Sequence, residues 1–249
     1  MIAFFPMKKI VLNLFILFSL KGHAANNALT VFAASSLTDS LTKIAVSFKK
    51  EYRIKINFNF DSSARLARQI SEAVHVDLFF SADKEWNTFL ENKGLSFSSK
   101  DLLSNELVVI IPEKSKAKLQ SLEKLSALQF KNLCVTQEST PSGKYAYQSL
   151  TKAGVLKQVS KKIVTGDNVR NVLGWVARDE VDLGIVFQTD AMVEDKVKII
   201  LKIPDDYHSK IIYSVSLMSK SEKAKLFYLY LQSPVARSVF KNNGFRILP

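Results

Sequence analysis

The sequence predicts an α/β fold in which mostly parallel sheets are flanked by helices. Short apolar runs alternate along the chain with amphipathic segments of about ten residues, which is the pattern of βαβ units. Several apolar runs end in serine or asparagine directly before a helical segment. A late β-rich tract, residues 211–219, precedes a terminal helical segment. This last feature predicts that the chain returns to its first lobe.

The N-terminal segment has the order of a secretory signal peptide. In residues 1–24, two lysines precede the apolar run 10–20, and small residues follow it. We expect cleavage after Ala24, or after Ala25 as second choice, and Met7 is an alternative start. An uncleaved signal anchor is the alternative, although the apolar run is short for a membrane span. The sequence therefore predicts a periplasmic protein.

Charge and composition limit the classes of function that the sequence supports. Loss of residues 1–24, which carry three lysines and no acidic residue, would leave 225 of the 249 residues and lower the formal charge from +12 to +9. The lysines are scattered rather than clustered with aromatic residues, so we expect no nucleic-acid partner. Cys134 lies in an apolar run and predicts a buried thiol. His75 and His208 lack metal-ligand spacing, so we expect no metal site.

The predicted strands follow from periodicity. Residues 53–60 alternate strictly between apolar and polar, and residues 106–112 form a continuous apolar run that ends at a proline. Helical spacing of apolar residues separates most of these strands, and the last helix is predicted to end at Gly244. Nine strands are predicted, at residues 28–34, 53–60, 76–82, 106–112, 133–137, 162–165, 183–187, 197–201 and 211–219.

Four predicted helix starts carry small polar residues. They are Ser36 ahead of Asp39, which resembles a capping box, the pair Ser62 and Ser63, the segment 141–143, and Asp167 with Asn168. Each alone is explained as a helix cap. Together they predict more, because helix N-termini present free N–H groups and gather at the carboxyl ends of parallel strands. We therefore expect a cleft that binds a small anion through neutral donors.

Enzyme motifs are absent from the sequence. No G-x-S-x-G surrounds a serine, and no G-x-G-x-x-G occurs. SGKYA, residues 142–146, lacks both the first glycine and the Ser/Thr of a phosphate-binding loop. The carboxylates form no acid and base pair at sequence level. We therefore predict that the protein is not an enzyme, and a secreted serine hydrolase is kept only as a weakly supported alternative.

Several motifs in order resemble one family. VFAASSLTDSL, FDSSARLARQI, VDLFFSADKEW, PSGKYA, DNVRNVLGWV and DLGIVFQTDA are similar to the periplasmic molybdate-binding proteins of ABC importers, over residues 29–245. The resemblance implies a two-lobed class II periplasmic binding fold, with lobe one at 25–105 plus 210–249 and lobe two at 106–209. It also implies molybdate or tungstate as ligand, no cofactor, a membrane permease as partner, and a monomer.

The resemblance also implies roles for five residues. Ser36 and Ser63 would each donate a hydroxyl and a backbone N–H to the anion. Ser142, where the family commonly has alanine, and Val169 would each donate a backbone N–H. Phe187 stands where the family often has a tyrosine whose hydroxyl reaches the anion. We expect the Ser142 hydroxyl to replace that missing donor.

The ligand class leaves an alternative open. A carrier for sulfate or another tetrahedral oxyanion would have the same fold and the same kind of cleft. Selection would rest on cavity size, and against phosphate also on a lining made only of donors, which leaves a protonated oxygen without an acceptor. A surface protein that contacts a host would need an exposed apolar patch or a tail, and neither is evident in the sequence.

Overall fold

The computed structural model describes residues 28–249. The expected signal peptide and its cleavage site lie outside the described residues. Among the described residues, no helix is long and apolar enough to cross a membrane. The fold is α/β, with two separate sheets and helices packed on their faces.

The first sheet has six strands in the order β11-β4-β10-β3-β1-β2. β1 pairs in parallel with β2 and β3, whereas β10 is antiparallel to both β3 and β4. The strands are β1 (Ala28–Ala34), β2 (Lys55–Asp61), β3 (Leu78–Ser81), β4 (Ser98–Ser104), β10 (Tyr213–Leu217) and β11 (Arg246–Ile247).

The second sheet has five strands in the order β7-β6-β8-β5-β9. β6 pairs in parallel with β7 and β8, and β5 is antiparallel to β8 and β9. The strands are β5 (Leu107–Pro112), β6 (Leu133–Thr136), β7 (Ile163–Gly166), β8 (Leu183–Phe187) and β9 (Val197–Lys202).

The helices follow the strands as the alternating pattern predicts. β1 leads into α1 through a short 3-10 helix, Ser35–Leu37, and most later strands are followed directly by a helix. The helices are α1 (Thr38–Tyr52), α2 (Ser63–Ser71), α3 (Lys84–Asn92), α4 (Pro141–Lys152), α5 (Leu156–Val159), α6 (Val169–Ala177), α7 (Gln188–Ala191), α8 (Glu222–Tyr230) and α9 (Pro234–Asn242).

Three expectations about the fold are corrected. The sheets are mixed rather than mostly parallel, because the first strand after each crossing, β5 and then β10, runs antiparallel to both of its neighbours. β4 was missed, since the exposed polar half of Ser98–Ser104 breaks the apolar alternation. The terminal helical segment is two helices, because Ser233 caps a new helix whose first residue is Pro234.

The described chain crosses twice between the two sheets. The first sheet uses residues 28–104 and 213–247, and the second uses residues 107–202. This membership supports lobe boundaries at 25–105 plus 210–249 and at 106–209, which we propose for the protein. Gly244 follows the last helix with φ +89, as expected for a terminating glycine.

Buried apolar side chains form one large cluster that includes residues of both sheets. Leu37, Leu41, Ile44 and Phe48, at helical spacing on the first helical segment, are each 0% exposed in it. A smaller cluster packs α2 and α3 on the other face of the first sheet. Packing in the core therefore holds the helices against the sheets. It thereby also fixes the positions of the helix starts near the strand ends.

Candidate functional site

A small cleft lies where four helix starts meet. It is lined by Ala34, Ser35, Ser36, Asp61, Ser62, Ser63, Ala82, Thr140, Pro141, Ser142, Val169 and Phe187. The structure thus brings all five predicted site residues into one cleft, with Ser36 and Ser63 contributed by the first lobe and Ser142, Val169 and Phe187 by the second. Because the four helices begin here, their first N–H groups have no partner inside their own helix.

Ser36 does not cap α1, so this part of the sequence analysis is wrong. It lies inside the 3-10 helix, and its hydroxyl is 2.9 Å from Tyr213 Oη on β10. The amide of Asn105 donates to the same Oη at 3.2 Å, and its orientation is fixed because its oxygen accepts the Glu106 N–H at 2.9 Å. Among the described residues, Ser36 Oγ is the one acceptor recorded within reach of the phenol proton, so we assign Tyr213 as the donor of this hydrogen bond. The proton of Ser36 is left to donate into the cleft.

The hydroxyl of Ser63 also accepts a hydrogen bond, in this case from a backbone N–H. Its Oγ accepts the N–H of Ala82 at 3.0 Å, and the residue is 1% exposed. A serine hydroxyl that accepts one hydrogen bond still holds its own proton. Ser62 takes the capping role at this start, since its side chain accepts the Arg65 N–H at 3.4 Å. Ser63 therefore has both its hydroxyl proton and its N–H to offer.

The start of α4 exposes the backbone N–H of Ser142. Thr140 is the N-cap and accepts the Gly143 N–H at 3.3 Å. Pro141 is the first helical residue and has no N–H, so the first one in the helix belongs to Ser142. The Ser142 hydroxyl lies 2.8 Å from Thr136 Oγ1, at the end of β6. Sequence reasoning did not identify Thr136.

The start of α6 leaves the Val169 N–H uncapped. Asn168 is the N-cap, as the sequence allowed, and its side-chain oxygen accepts from Arg170 N at 3.0 Å and from Asn171 N at 3.2 Å. The cap thus satisfies the second and third N–H groups of the helix, and the first stays available. Val169 is 4% exposed and lines the cleft.

Phe187 closes the cleft with an apolar wall. Its ring is 1% exposed and packs edge-on against Tyr213, with centroids 5.6 Å apart. A phenylalanine ring offers no hydroxyl donor. Burial raises the pKa of Tyr213 well above its usual range, so the phenol that orients Ser36 stays protonated.

Asp61 is a carboxylate in a cleft built for anions, and sequence reasoning missed it. Its Oδ1 accepts the Ser62 N–H at 2.8 Å and the Asn168 amide at 3.0 Å, and its Oδ2 lies 3.2 Å from Arg65. Three donors therefore offset its charge. The FDSS motif contains the only sequence signal, an aspartate directly before a capping serine.

Charged groups also tie the two lobes together around the cleft. Lys144 of lobe two lies 2.5 Å from Asp83 and 2.8 Å from Glu85, both of lobe one. Arg170 of lobe two lies 2.6 Å from Asp39 of lobe one. These contacts would be lost if the two lobes moved apart.

The cleft offers hydrogen-bond donors but little that would support covalent catalysis. The hydroxyls of Ser36 and Ser63 have no histidine among their hydrogen-bond partners in residues 28–249. Cys134 is fully buried, and burial raises the pKa of its thiol to about 12, which keeps it protonated. The geometry suits reversible binding of a small anion whose water is replaced by N–H and O–H groups.

Comparison with known proteins agrees with this geometry. The family of bacterial extracellular solute-binding proteins matches residues 29–246. The chain belongs to this family. Two relatives are named molybdate-binding protein ModA: that of Escherichia coli is 38% identical, over 95% of this chain and 98% of its own, and that of Haemophilus influenzae is 36% identical, over 89% and 91%.

A solved structure extends the likeness of this solute-binding protein to the fold. The periplasmic molybdate-binding protein of Azotobacter vinelandii superposes with a TM-score of 0.79 at 24% identity, covering 89% of this chain and 99% of that one. The family resemblance expected from the motifs is therefore confirmed, and so is a two-sheet α/β fold of the periplasmic binding type.

Proposed function

We propose that this solute-binding protein captures molybdate, and also tungstate, in the periplasm and delivers it to an ABC permease. The observation that carries the proposal is the meeting of four helix starts at one cleft, which the hydroxyl-bearing residues Ser36 and Ser63 also line. ModA is the name of relatives 36% and 38% identical. A fully deprotonated dianion suits such neutral donors, because every oxygen accepts and none needs an acceptor.

The binding step follows from the donor set. The hydroxyls and N–H groups of Ser36 and Ser63 hold the anion from lobe one, and the N–H groups of Ser142 and Val169 hold it from lobe two. Phe187 contributes an apolar wall and no donor. Closure then forms the contacts of Lys144 and the other ion pairs between the lobes. Opening of the lobes at the permease would release the anion.

Transport rather than catalysis follows from the same groups. We propose a monomer that is exported with a cleavable signal peptide and needs no cofactor. Its ligand is the oxyanion itself. The net positive charge of the chain favours capture of an anion at low salt. No step of this cycle makes or breaks a covalent bond.

Isothermal titration of ligand-free mature protein tests the proposal. Molybdate and tungstate should bind tightly, and sulfate and phosphate much more weakly. Ser36→Ala and Ser63→Ala should each weaken molybdate binding by roughly tenfold to a hundredfold, since a hydrogen bond to a charged group contributes about 1.5–3 kcal/mol. Ser40→Ala is the control, because Ser40 is buried in α1 but does not line the cleft. Absence of molybdate binding in the unaltered protein would overturn the proposal.

Tyr213→Phe gives a further prediction for the same site. The change removes the donor that holds Ser36 Oγ and leaves the ring packing in place. Molybdate binding should weaken by a few-fold to about tenfold, as expected for one hydrogen bond of about 0.5–1.5 kcal/mol. Tyr230→Phe, in the aromatic cluster on α8 and outside the cleft lining, should leave the affinity unchanged. Equal affinities in both variants would contradict the role of Tyr213.

A further inference from the structure

Three hydroxyl groups form a row beside the cleft and end on a backbone carbonyl. Ser142 Oγ lies 2.8 Å from Thr136 Oγ1, which lies 2.6 Å from Thr140 Oγ1, which lies 2.7 Å from the carbonyl oxygen of Gln137. Ser142, Thr136 and Thr140 are 5%, 1% and 4% exposed. Each separation is that of an O–H···O hydrogen bond.

The position of every proton in the row follows by counting. Three contacts between oxygens need three protons, and three hydroxyls supply one each. The carbonyl of Gln137 has none to give, so Thr140 must donate to it. Thr136 must then donate to Thr140, and Ser142 must donate to Thr136. The Ser142 proton is therefore used in the bond to Thr136 and is not available to the anion.

Ser142 therefore differs from the other two serines of the cleft. Ser36 and Ser63 each accept a hydrogen bond from the protein and keep a proton for the ligand. Ser142 donates to the protein and keeps lone pairs. A lone pair repels the oxygens of a fully deprotonated anion but accepts the O–H of a protonated one. This orientation is opposite to the compensation for Phe187 expected from the sequence.

We propose that Ser142 is a specificity-determining acceptor that admits tetrahedral oxyanions carrying one proton, such as hydrogen phosphate or hydrogen arsenate. The inference rests on the proposed oxyanion function of the cleft. The lining made only of donors that the sequence predicts would reject such ions. The Ser142 hydroxyl adds an acceptor at the start of α4, whereas the Asp61 carboxylate in the lining is already engaged by Ser62, Asn168 and Arg65. Molybdate is held by the remaining donors and gains nothing from this hydroxyl.

Sulfate and hydrogen phosphate make a matched pair of probes. At mildly alkaline pH they have the same charge and nearly the same size, and only phosphate carries a proton. The ratio of their dissociation constants, measured by titration or by displacement of molybdate, therefore reports on acceptors in the lining, and its change on substitution of Ser142 separates that hydroxyl from the Asp61 carboxylate. In the unaltered protein, hydrogen phosphate should bind more tightly than sulfate.

Two variants change the row in different ways. Ser142→Ala removes the acceptor, so the preference for hydrogen phosphate over sulfate should fall by about tenfold, and molybdate should bind more tightly because a lone pair that repels its oxygens is gone. Thr136→Val removes the group to which Ser142 donates and frees that proton for the ligand, so molybdate and sulfate should bind more tightly and hydrogen phosphate more weakly. Thr151→Val on α4, where the hydroxyl bonds Tyr147 O, should leave the ratio unchanged.

The outcomes separate this inference from the proposed function. Weaker molybdate binding in Ser142→Ala would show that Ser142 donates, and would overturn the inference. An unchanged ratio in both variants, or no hydrogen phosphate binding in the unaltered protein, would overturn it as well. Failure of the unaltered protein to bind molybdate would instead overturn the proposed function. A ratio that shifts as expected would then still support the acceptor.

Discussion

Gly143→Ala is expected to lower the free energy of unfolding by about 3 kcal/mol and to remove tight oxyanion binding. A Cβ at this position would lie 2.0 Å from the carbonyl oxygen of Gln137 and 2.6 Å from that of Thr136. Both are backbone atoms, which cannot turn aside as the end of a long side chain can. The start of α4 would have to move away from β6.

That movement would reach the cleft directly. Ser142 precedes Gly143, lines the cleft and carries the first N–H of α4, and Thr140, the cap, accepts the Gly143 N–H. Displacing this turn separates donors contributed by lobe two from those contributed by lobe one. Affinity should therefore fall by more than the loss of one hydrogen bond would produce.

Thermal unfolding and molybdate titration check this expectation together. For a chain of this length, about 3 kcal/mol corresponds to a decrease in Tm of roughly 6–12 °C. Gly174→Ala is the matched control, because a Cβ there would meet only the end of the Arg178 side chain. Alanine favours helices over glycine, so the control should be neutral or slightly stabilising. An unchanged Tm in Gly143→Ala would contradict the close approach.

Local sequence patterns predicted the parts of the site that depend on local structure. Ser62 with Ser63, and Asn168 with Val169, each follow a predicted strand and mark the start of the next helix. The helix start in turn fixes where the first free N–H lies. The strand ends then place these starts at one edge of each sheet. The five candidate residues could therefore be chosen before the structure, although their roles toward the anion stay proposals.

The remaining features depend on contacts between distant parts of the chain. Ser36 and Tyr213 are separated by 177 positions, and no local pattern indicates that their hydroxyls meet. The direction of the Ser142 hydroxyl depends on a row of three oxygens that only folding aligns. β4 was missed for a related reason, since its pairing with β10 rather than its own alternation makes it a strand.

Arg170→Met should be the second variant with a large effect, lowering the free energy of unfolding by about 3–5 kcal/mol near neutral pH. Arg170 Nε donates to Asp190 Oδ1 at 2.6 Å, and Nη2 donates to Asp39 Oδ2 at 2.6 Å. Asp190 is 0% exposed, and its Oδ2 has no hydrogen-bond partner among the described residues. Without Arg170, a buried carboxylate would lose its cation.

Controls separate the buried charge from the loss of an arginine. Arg178, at the end of the same helix, pairs with Glu180 at 2.7 Å, and both side chains are half exposed. Arg178→Met should therefore change stability by well under about 1 kcal/mol. Adding Asp190→Asn to Arg170→Met removes the charge that was left unpaired and should restore much of the stability. If the double variant were less stable than Arg170→Met, the buried charge would not be the cause.

Asp190 also predicts how stability depends on pH. Burial raises the pKa of this carboxyl to about 6, against the opposing effect of Arg170. Because the folded pKa lies above that of the unfolded chain, the contribution of Asp190 to folding is fully present below about pH 4 and is lost as the pH rises through about 6.

Urea unfolding at a series of pH values checks this sign. The free energy of unfolding of the unaltered protein relative to Asp190→Asn should fall as the pH rises through about 6, since asparagine does not titrate. The destabilisation caused by Arg170→Met should likewise be smaller in acid, where Asp190 is protonated and needs no cation. A relative stability independent of pH would mean that Asp190 titrates as it does in the unfolded chain. Arg170 would then offset the full cost of burying this carboxylate.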